Sequence, residues 1–371
     1  MAAKPPGSPD RQSGNPTRGP SGIIAGYVFR LIREQLDLTQ ITLAERFRVS
    51  VDTIAGWETG RRPLTALPVG QMLVHRHRLL HLGTSPQLLS ALDRAMEADV
   101  LLAGALADHT PTTHPLGAWV LQRDLADLLT WPLHGRPPEL IAALPAPTRP
   151  RRGPVARKPQ LGADDRTRFF ARMRATAEQA ATPDQFLLRR QALYLAGYDR
   201  SPDTTDWLDH QQRTARPQGW LDNWLNARSV ASVGARQGDR DQITGFITTT
   251  LVDNDQGEAA NLNYWAYWVG EIPDIETDDT FMGTRRPDTW HGRRLLHHVT
   301  SRLDPAFGYL DLYVHTLWAL LAIRPQLLRD GSVDRTWLRT RVEILLDSPE
   351  TSRQADRDLS GVRYALRLAE A

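Results

Sequence analysis

The sequence predicts an all-α protein, on three observations. Apolar residues recur at intervals of three and four over most of the 371 residues. Ser, Thr and Asp, often followed by Pro, stand ahead of these runs as helix openers. Almost no stretch alternates apolar and polar residues as a half-buried strand does. The segments group into a small N-terminal unit over 22–82, a helical extension over 83–144, a basic Pro-rich linker over 145–163 and a helical array over 164–371, after a polar tail over 1–21 expected to be disordered.

Within the N-terminal unit, Val28, Leu31, Ile32 and Leu36 repeat at helical intervals and place a helix from about Gly22 to Gln35. The stretch from Leu38 to Pro63, LTQITLAERFRVSVDTIAGWETGRRP, reads as two short helices joined by a tight turn. Thr39 caps the first, with Gln40 in its opening turn and Leu43, Ala44 and Phe47 facing inward; this helix should stop near Arg48. Ser50 caps the second, whose Ile54 and Trp57 share a buried side while Val51, Asp52, Ala55 and Gly56 point elsewhere. Two helices in this relation lay the second in the major groove of DNA. The outward positions then meet base edges, and Arg61 and Arg62 fall where phosphates lie.

These residues resemble the Cro and phage-repressor type of helix-turn-helix, the XRE family. The resemblance runs from roughly Ile23 to Leu82 and is carried by Leu38-Thr39-Gln40, Leu43-Ala44-Glu45, Val49-Ser50, Thr53-Ile54, Trp57-Glu58 and Gly60-Arg61-Arg62-Pro63. It implies that Gln40 bonds a phosphate and that Arg33 pairs with Glu58 to hold the first helix to the third. The expected contacts to double-stranded DNA are Thr39, Gln40, Ser50, Val51, Asp52, Thr53, Ala55, Gly56, Arg61 and Arg62. Departures limit the reading of bases. Val51 and Asp52 stand where relatives often carry Gln, Arg or Ser; Val51 can touch only a thymine methyl, and Asp52 can accept from cytosine N4 but repels phosphate. Recognition is then expected to rest on DNA shape and backbone contacts, or the helix serves a protein partner.

Beyond this unit, Thr65 to Leu82 reads as one or two helices, with His75, His77 and His81 read as solvated rim residues in preference to metal ligands. Ser85-Pro86 opens a long helix through Leu89, Leu92, Met96, Val100 and Leu106. Another helix is expected from about Gly117 to Trp131, burying Trp119, Leu121, Leu125, Leu128 and Leu129. The segment PAPTRPRRGPVARKPQLG has too little apolar surface to fold, and its Arg149, Arg151, Arg152, Arg157 and Lys158 belong to a solvated tether in preference to a minor-groove arm. In the C-terminal array, Thr182-Pro183, Ser201-Pro202 and Asp304-Pro305 read as helix openings. Asn226 to Leu251, turning at Gly238-Asp239, looks like a helical hairpin of tetratricopeptide type, without a sustained period. Asn261 to Gly270 and Tyr313 to Ile323 are apolar enough to be central helices.

The formal charge is only +2, but residues 1 to 70 carry nine Arg or Lys against six Asp or Glu, and Arg149 to Arg174 carry nine against two. Basic character sits where nucleic acid can use it. Cations are almost all Arg, and with abundant Ala, Pro and Gly the usage resembles that of high-GC, actinobacterial genomes. Absence of cysteine excludes disulfides, thiolate metal sites and Cys nucleophiles. No apolar run approaches a membrane span and no signal core is present, so a cytoplasmic, nucleoid-associated protein is expected.

Two clusters invite chemistry. Glu271, Asp274, Glu276, Asp278 and Asp279, with His291, His297, His298 and His315, are the inventory of a hydrolytic metal site, but no HExxH spacing occurs and a solvated acidic loop is the favoured reading. Asn261 through Trp268 could line a pocket, with core packing favoured. No phosphate-binding Gly loop, nucleophile elbow or kinase signature is present. The expected function is therefore a sequence-specific DNA-binding transcriptional regulator, not an enzyme, without a cofactor. It is expected to be a homodimer whose helical C-terminal half senses an effector or partner. The alternatives are a metal-dependent hydrolase carrying a DNA-binding domain, and an adaptor whose helix-turn-helix unit binds protein.

Overall fold

The computed structural model describes residues 21–107, 111–147, 156, 158–236 and 238–369. The tail over 1–20 and Arg149, Arg151, Arg152 and Arg157 of the basic segment lie outside the described residues. Among the described residues the protein is all-α, with eighteen α-helices and no strand. In order these are α1 (Ile23–Gln35), α2 (Gln40–Phe47), α3 (Val51–Glu58), α4 (Val69–His81), α5 (Pro86–Leu106), α6 (Arg123–His134), α7 (Glu139–Ala142), α8 (Ala163–Gln179) and α9 (Phe186–Ala196). They continue as α10 (Thr204–Thr214), α11 (Gly219–Arg236), α12 (Asp241–Phe246), α13 (Asp255–Trp268), α14 (Phe281–Thr284), α15 (Arg293–Thr300), α16 (Leu310–Ile323), α17 (Arg335–Leu346) and α18 (Arg353–Leu368).

Local chemistry sets most of these boundaries. Thr39 Oγ1 accepts from the Thr42 amide at 3.1 Å and opens α2, and Arg48, at φ 55°, closes it. Ser50 Oγ accepts from the Thr53 amide at 3.1 Å and opens α3; Ser85 does the same for α5, with Pro86 at its first position. Gly238, at φ 93°, turns the chain between α11 and α12, as the helical-hairpin reading expects.

Three expectations fail for tertiary reasons. The helix expected from Gly117 starts only at Arg123 and continues through Pro132 to His134. Ahead of it the Val120 amide donates to the Glu276 carbonyl at 2.8 Å and the Leu121 amide to Gln191 Oε1 at 2.7 Å, so this backbone is committed to distant partners. Asp304-Pro305 opens no helix; Asp304 accepts from the Ala306 amide at 2.9 Å in a local turn, and α16 begins at Leu310. Val100, expected on the apolar side of α5, is 54% exposed, while Ala98, Leu101 and Leu102 take the buried face.

The helices enclose two hydrophobic cores. The first runs from Ile24 to Ala196 and joins α1 to α6 with Phe169 and Met173 of α8 and Leu195 of α9. The second is built from α11 to α18, with Trp224, Trp265, Leu317 and Leu359 among its members. The change of core thus comes after α9 and not at the Pro-rich segment, because α8 turns its apolar face back onto α5. That segment passes along α1 at its ends, where Gln35 Nε2 donates to the Pro145 carbonyl at 2.8 Å and Arg30 to the Ala156 carbonyl at 3.4 Å.

Candidate nucleic-acid interface

The core beneath α3 is aromatic. Trp57 is 3% exposed and meets Phe29 of α1 edge to face at 5.8 Å, with Phe47 of α2 beside both. His75 of α4 stacks on Phe47 at 4.8 Å and is buried, which corrects its reading as a solvated rim residue; burial, reinforced by Arg78, lowers its pKa and keeps the imidazole neutral. Arg78 also donates to the Phe47 carbonyl at 2.6 Å, tying α4 to the end of α2. His77 and His81 remain exposed, their Nε2 atoms 2.8 Å apart.

Two polar devices fix α1 against this core. Glu58 receives Arg33 through both carboxylate oxygens, at 2.5 and 3.1 Å, so the pair expected from the resemblance forms a fork between α1 and the end of α3. Gln40 joins them, its amide donating to Glu58 at 2.7 Å, where the resemblance implies a phosphate. At the other end, Asp99 of α5 accepts from the amides of Ile24 and Ala25 at 3.0 and 2.8 Å. A buried carboxylate here satisfies orphan donors of the first turn of α1. Burial raises its pKa to about 6 against the pull of these amides.

The outward face of α3 presents Val51, 40% exposed, and Asp52, with Ala55 half-buried. Thr53 is half-buried, its hydroxyl 2.8 Å from that of Ser50. Gly56 does not belong to this face. It is buried under Arg62, whose side chain would lie 3.1 to 3.4 Å from a Cβ there. Arg62 folds back in this way because its guanidinium donates to Thr53 at 3.0 Å and pairs with Asp52 at 3.0 Å. Arg61 pairs with the other Asp52 oxygen at 2.5 Å. The two cations expected on phosphates are therefore held together at the N-terminal end of α3 by one carboxylate, and all three side chains remain about half exposed.

Residues 29–67 match the family model described as helix-turn-helix. This stretch is an XRE-type helix-turn-helix unit. Such a unit implies DNA binding through the second helix of the pair, here α3. The match covers this small part of a larger all-helical chain; no curated protein and no solved structure matches the chain.

Outside the helix-turn-helix unit, the 271–279 loop is solvated in part as expected, with Asp274 and Asp278 exposed, but Glu271, Glu276 and Asp279 are engaged in structure. Glu271 accepts from the amides of Arg294 and Leu295 at 2.7 and 3.3 Å and caps α15. Glu276 pairs with Arg285 at 2.6 Å, Asp278 accepts from the Thr280 amide at 2.8 Å, and buried Asp279 pairs with Arg190 at 2.6 Å. His297 is exposed, while His315 is buried between Glu258 at 2.5 Å and Asp358 at 2.8 Å. Among the described residues no group of three or more such side chains is arranged to hold a metal ion, and no helix is long and apolar enough to cross a membrane. In α13, Asn261 and Asn263 are buried, bonding Thr316 at 3.1 Å and the Met282 carbonyl at 3.0 Å, whereas Tyr264, Trp265 and Trp268 line a cavity.

Proposed function

We propose that this protein is a sequence-specific transcriptional regulator that binds operator DNA as a homodimer and works by binding, not catalysis. The carrying observation is the helix-turn-helix match at 29–67, joined to an α3 whose outward face stands clear with Arg61 and Arg62 at its end. Val51 offers a methyl contact, the two arginines offer phosphate contacts once Asp52 yields them, and the rest of the reading falls to DNA shape. A dimer is supported by α4, which exposes Val69, Leu73, Val74 and Leu80 beside the unit. A cysteine-free chain suits a reducing, nucleoid-associated setting. Helices α11 to α18 are the sensing half, and their route to the DNA-binding unit runs through α6, whose Trp131 meets Tyr27 of α1 edge to face at 5.1 Å.

The test is selection of bound fragments from random and genomic DNA by the purified protein, with Arg61→Ala/Arg62→Ala as control. The proposal expects an inverted repeat with half-sites about one helical turn apart, lost in the control. Absence of any enriched sequence across a range of salt would overturn it. A second reading, in which α3 docks a protein, is favoured by exposed Ile41 and Val51. Salt separates the two, because DNA affinity falls steeply as salt rises and apolar docking does not.

A further inference from the structure

A cavity of about 230 Å³ lies between the two cores. Helices α6 and α9 of the first core form one wall, and α11, α13, α15 and the start of α16 form the other. Five arginines reach it, Arg123, Arg190, Arg228, Arg236 and Arg302, against one carboxylate, Asp127. Three of the five are answered: Arg190 by Asp279 at 2.6 Å, Arg123 by Glu139 at 2.5 Å, and Arg302 by Glu139 at 3.2 Å.

Arg228 and Arg236 form no ion pair among the described residues. Arg228 is only 6% exposed, its Nε has no hydrogen-bond partner, and its guanidinium lies 3.6 Å from the centre of the Tyr264 ring. Arg236 lies over Tyr194 and Tyr198 at 4.2 and 4.4 Å. Their other partners are neutral: Arg228 Nη1 lies 3.4 Å from Ser232 Oγ, and the half-buried Arg236 donates to the Tyr194 carbonyl at 3.0 Å. A cation buried as Arg228 is, with aromatic faces and neutral acceptors but no anion, is costly to keep out of water unless an anion joins it. Burial lowers the pKa of Arg228. His298, 4% exposed, adds a donor: burial, with Arg302 and Arg123 nearby, lowers its pKa to about 2 and keeps it neutral. Its Nδ1 faces Arg123 Nη1 at 3.1 Å and accepts from it, so Nε2 carries the hydrogen, and Nε2 has no partner. The rest of the lining is mostly aromatic, with Trp265 and Trp268 beside Tyr264, and is completed by Leu193, Leu225, Val233 and two serines.

We propose that this cavity is a binding site for a small organic anion built on one aromatic ring, an aryl carboxylate or aryl phosphate. The anionic head takes Arg228 and Arg236 with the His298 Nε2 hydrogen, and the ring lies among Tyr264, Trp265 and Trp268. The volume agrees, since a buried cavity of about 150 Å³ holds benzene and this one has room for a charged substituent besides. The consequence for DNA rests on the sensing role proposed above: a ligand spanning both walls fixes the second core against α6, and α6 packs on α1.

The test is calorimetric titration of the full chain, with Trp fluorescence in parallel, using phenylacetate, phenyl phosphate, the neutral isostere phenylacetamide, and inorganic phosphate. The site predicts one equivalent of phenylacetate or phenyl phosphate bound, whichever head fits better. It predicts at least tenfold weaker binding of phenylacetamide and of inorganic phosphate, and a tenfold or greater loss in Arg228→Met. Equal affinity for phenylacetate and phenylacetamide would overturn the anion site, and phosphate binding as well as phenyl phosphate would overturn the ring site. No binding of either aryl anion at millimolar concentration would overturn both. The comparison of ligands uses the unaltered protein, so it decides the matter even if Arg228→Met fails to fold. Aryl-anion binding that leaves DNA affinity unchanged would preserve the site and refute the sensing role.

Discussion

Replacing Asp52 with Asn is expected to tighten DNA binding and steepen its salt dependence. Asp52 holds Arg61 at 2.5 Å and Arg62 at 3.0 Å, with the three side chains 60%, 55% and 48% exposed. Exposed pairs of this kind contribute about 0.2–1 kcal/mol each, so both are within the reach of a competing phosphate and their loss costs the fold little. The carboxylate itself opposes DNA: at roughly 7 Å from a phosphate in water its repulsion is about 0.6 kcal/mol. Each arginine released to a phosphate adds about 0.9 to the slope of log K against log salt. The slope should steepen by about one to two, and affinity at low salt should rise about three- to tenfold, as 0.6 to 1.4 kcal/mol requires. Anisotropy titrations of a labelled duplex at several salt concentrations measure both quantities. An unchanged slope with unchanged affinity would refute the reasoning, because it would mean that these arginines are not withheld by Asp52 or do not face DNA.

Gly26→Ala should destabilise the N-terminal unit by about 1–3 kcal/mol. A Cβ at Gly26 would press into the Trp57 carbonyl, so α1 and α3 must part; an unshifted melting temperature would show that they do not approach this closely. For His315, burial alone would lower the pKa, but Asp358 and Glu258 overcome it and raise it to about 9. The charged imidazole thus stabilises the second core fully below its unfolded pKa of about 6.5, and this contribution, on the order of 3 kcal/mol, is lost as pH rises through about 9. Denaturant unfolding of the protein should show that decline and His315→Gln should not; parallel pH profiles would refute the assignment. Leu73→Asp, on the exposed side of α4, should convert a dimer to a monomer in light scattering without unfolding it, and a mass unchanged from the parent would remove this helix from the interface.

The helix-turn-helix unit is legible in the sequence because its determinants are local. Thr39 and Ser50 cap helices a few residues ahead of them, and Leu43, Phe47, Ile54 and Trp57 mark the buried side by spacing alone. What escapes such reading depends on partners far along the chain. Asp99 is an unremarked acid within a long helix until α5 crosses α1 and brings it to the Ile24 amide. Gly56 has the spacing of an outward position but lies under Arg62, which is drawn back by Asp52 and Thr53. His75 is hidden by Phe47, and Asp279, Glu276 and Glu271 are engaged by Arg190, Arg285 and the first turn of α15. The arginines of the inter-core cavity come from three helices, α6, α9 and α11, and from the turn after α15, and no spacing rule joins them.

The central claim, that α3 enters the DNA groove, is tested most directly by exploiting the absence of cysteine from the chain. A single cysteine replacing Val51, carrying an iron chelate that cleaves DNA nearby, should cut at the middle of each half-site. The same chelate at Tyr364→Cys, an exposed position on α18 in the second core, should cut nowhere within the site. Bound DNA left intact by the chelate at position 51, or cut equally from both positions, would contradict the account.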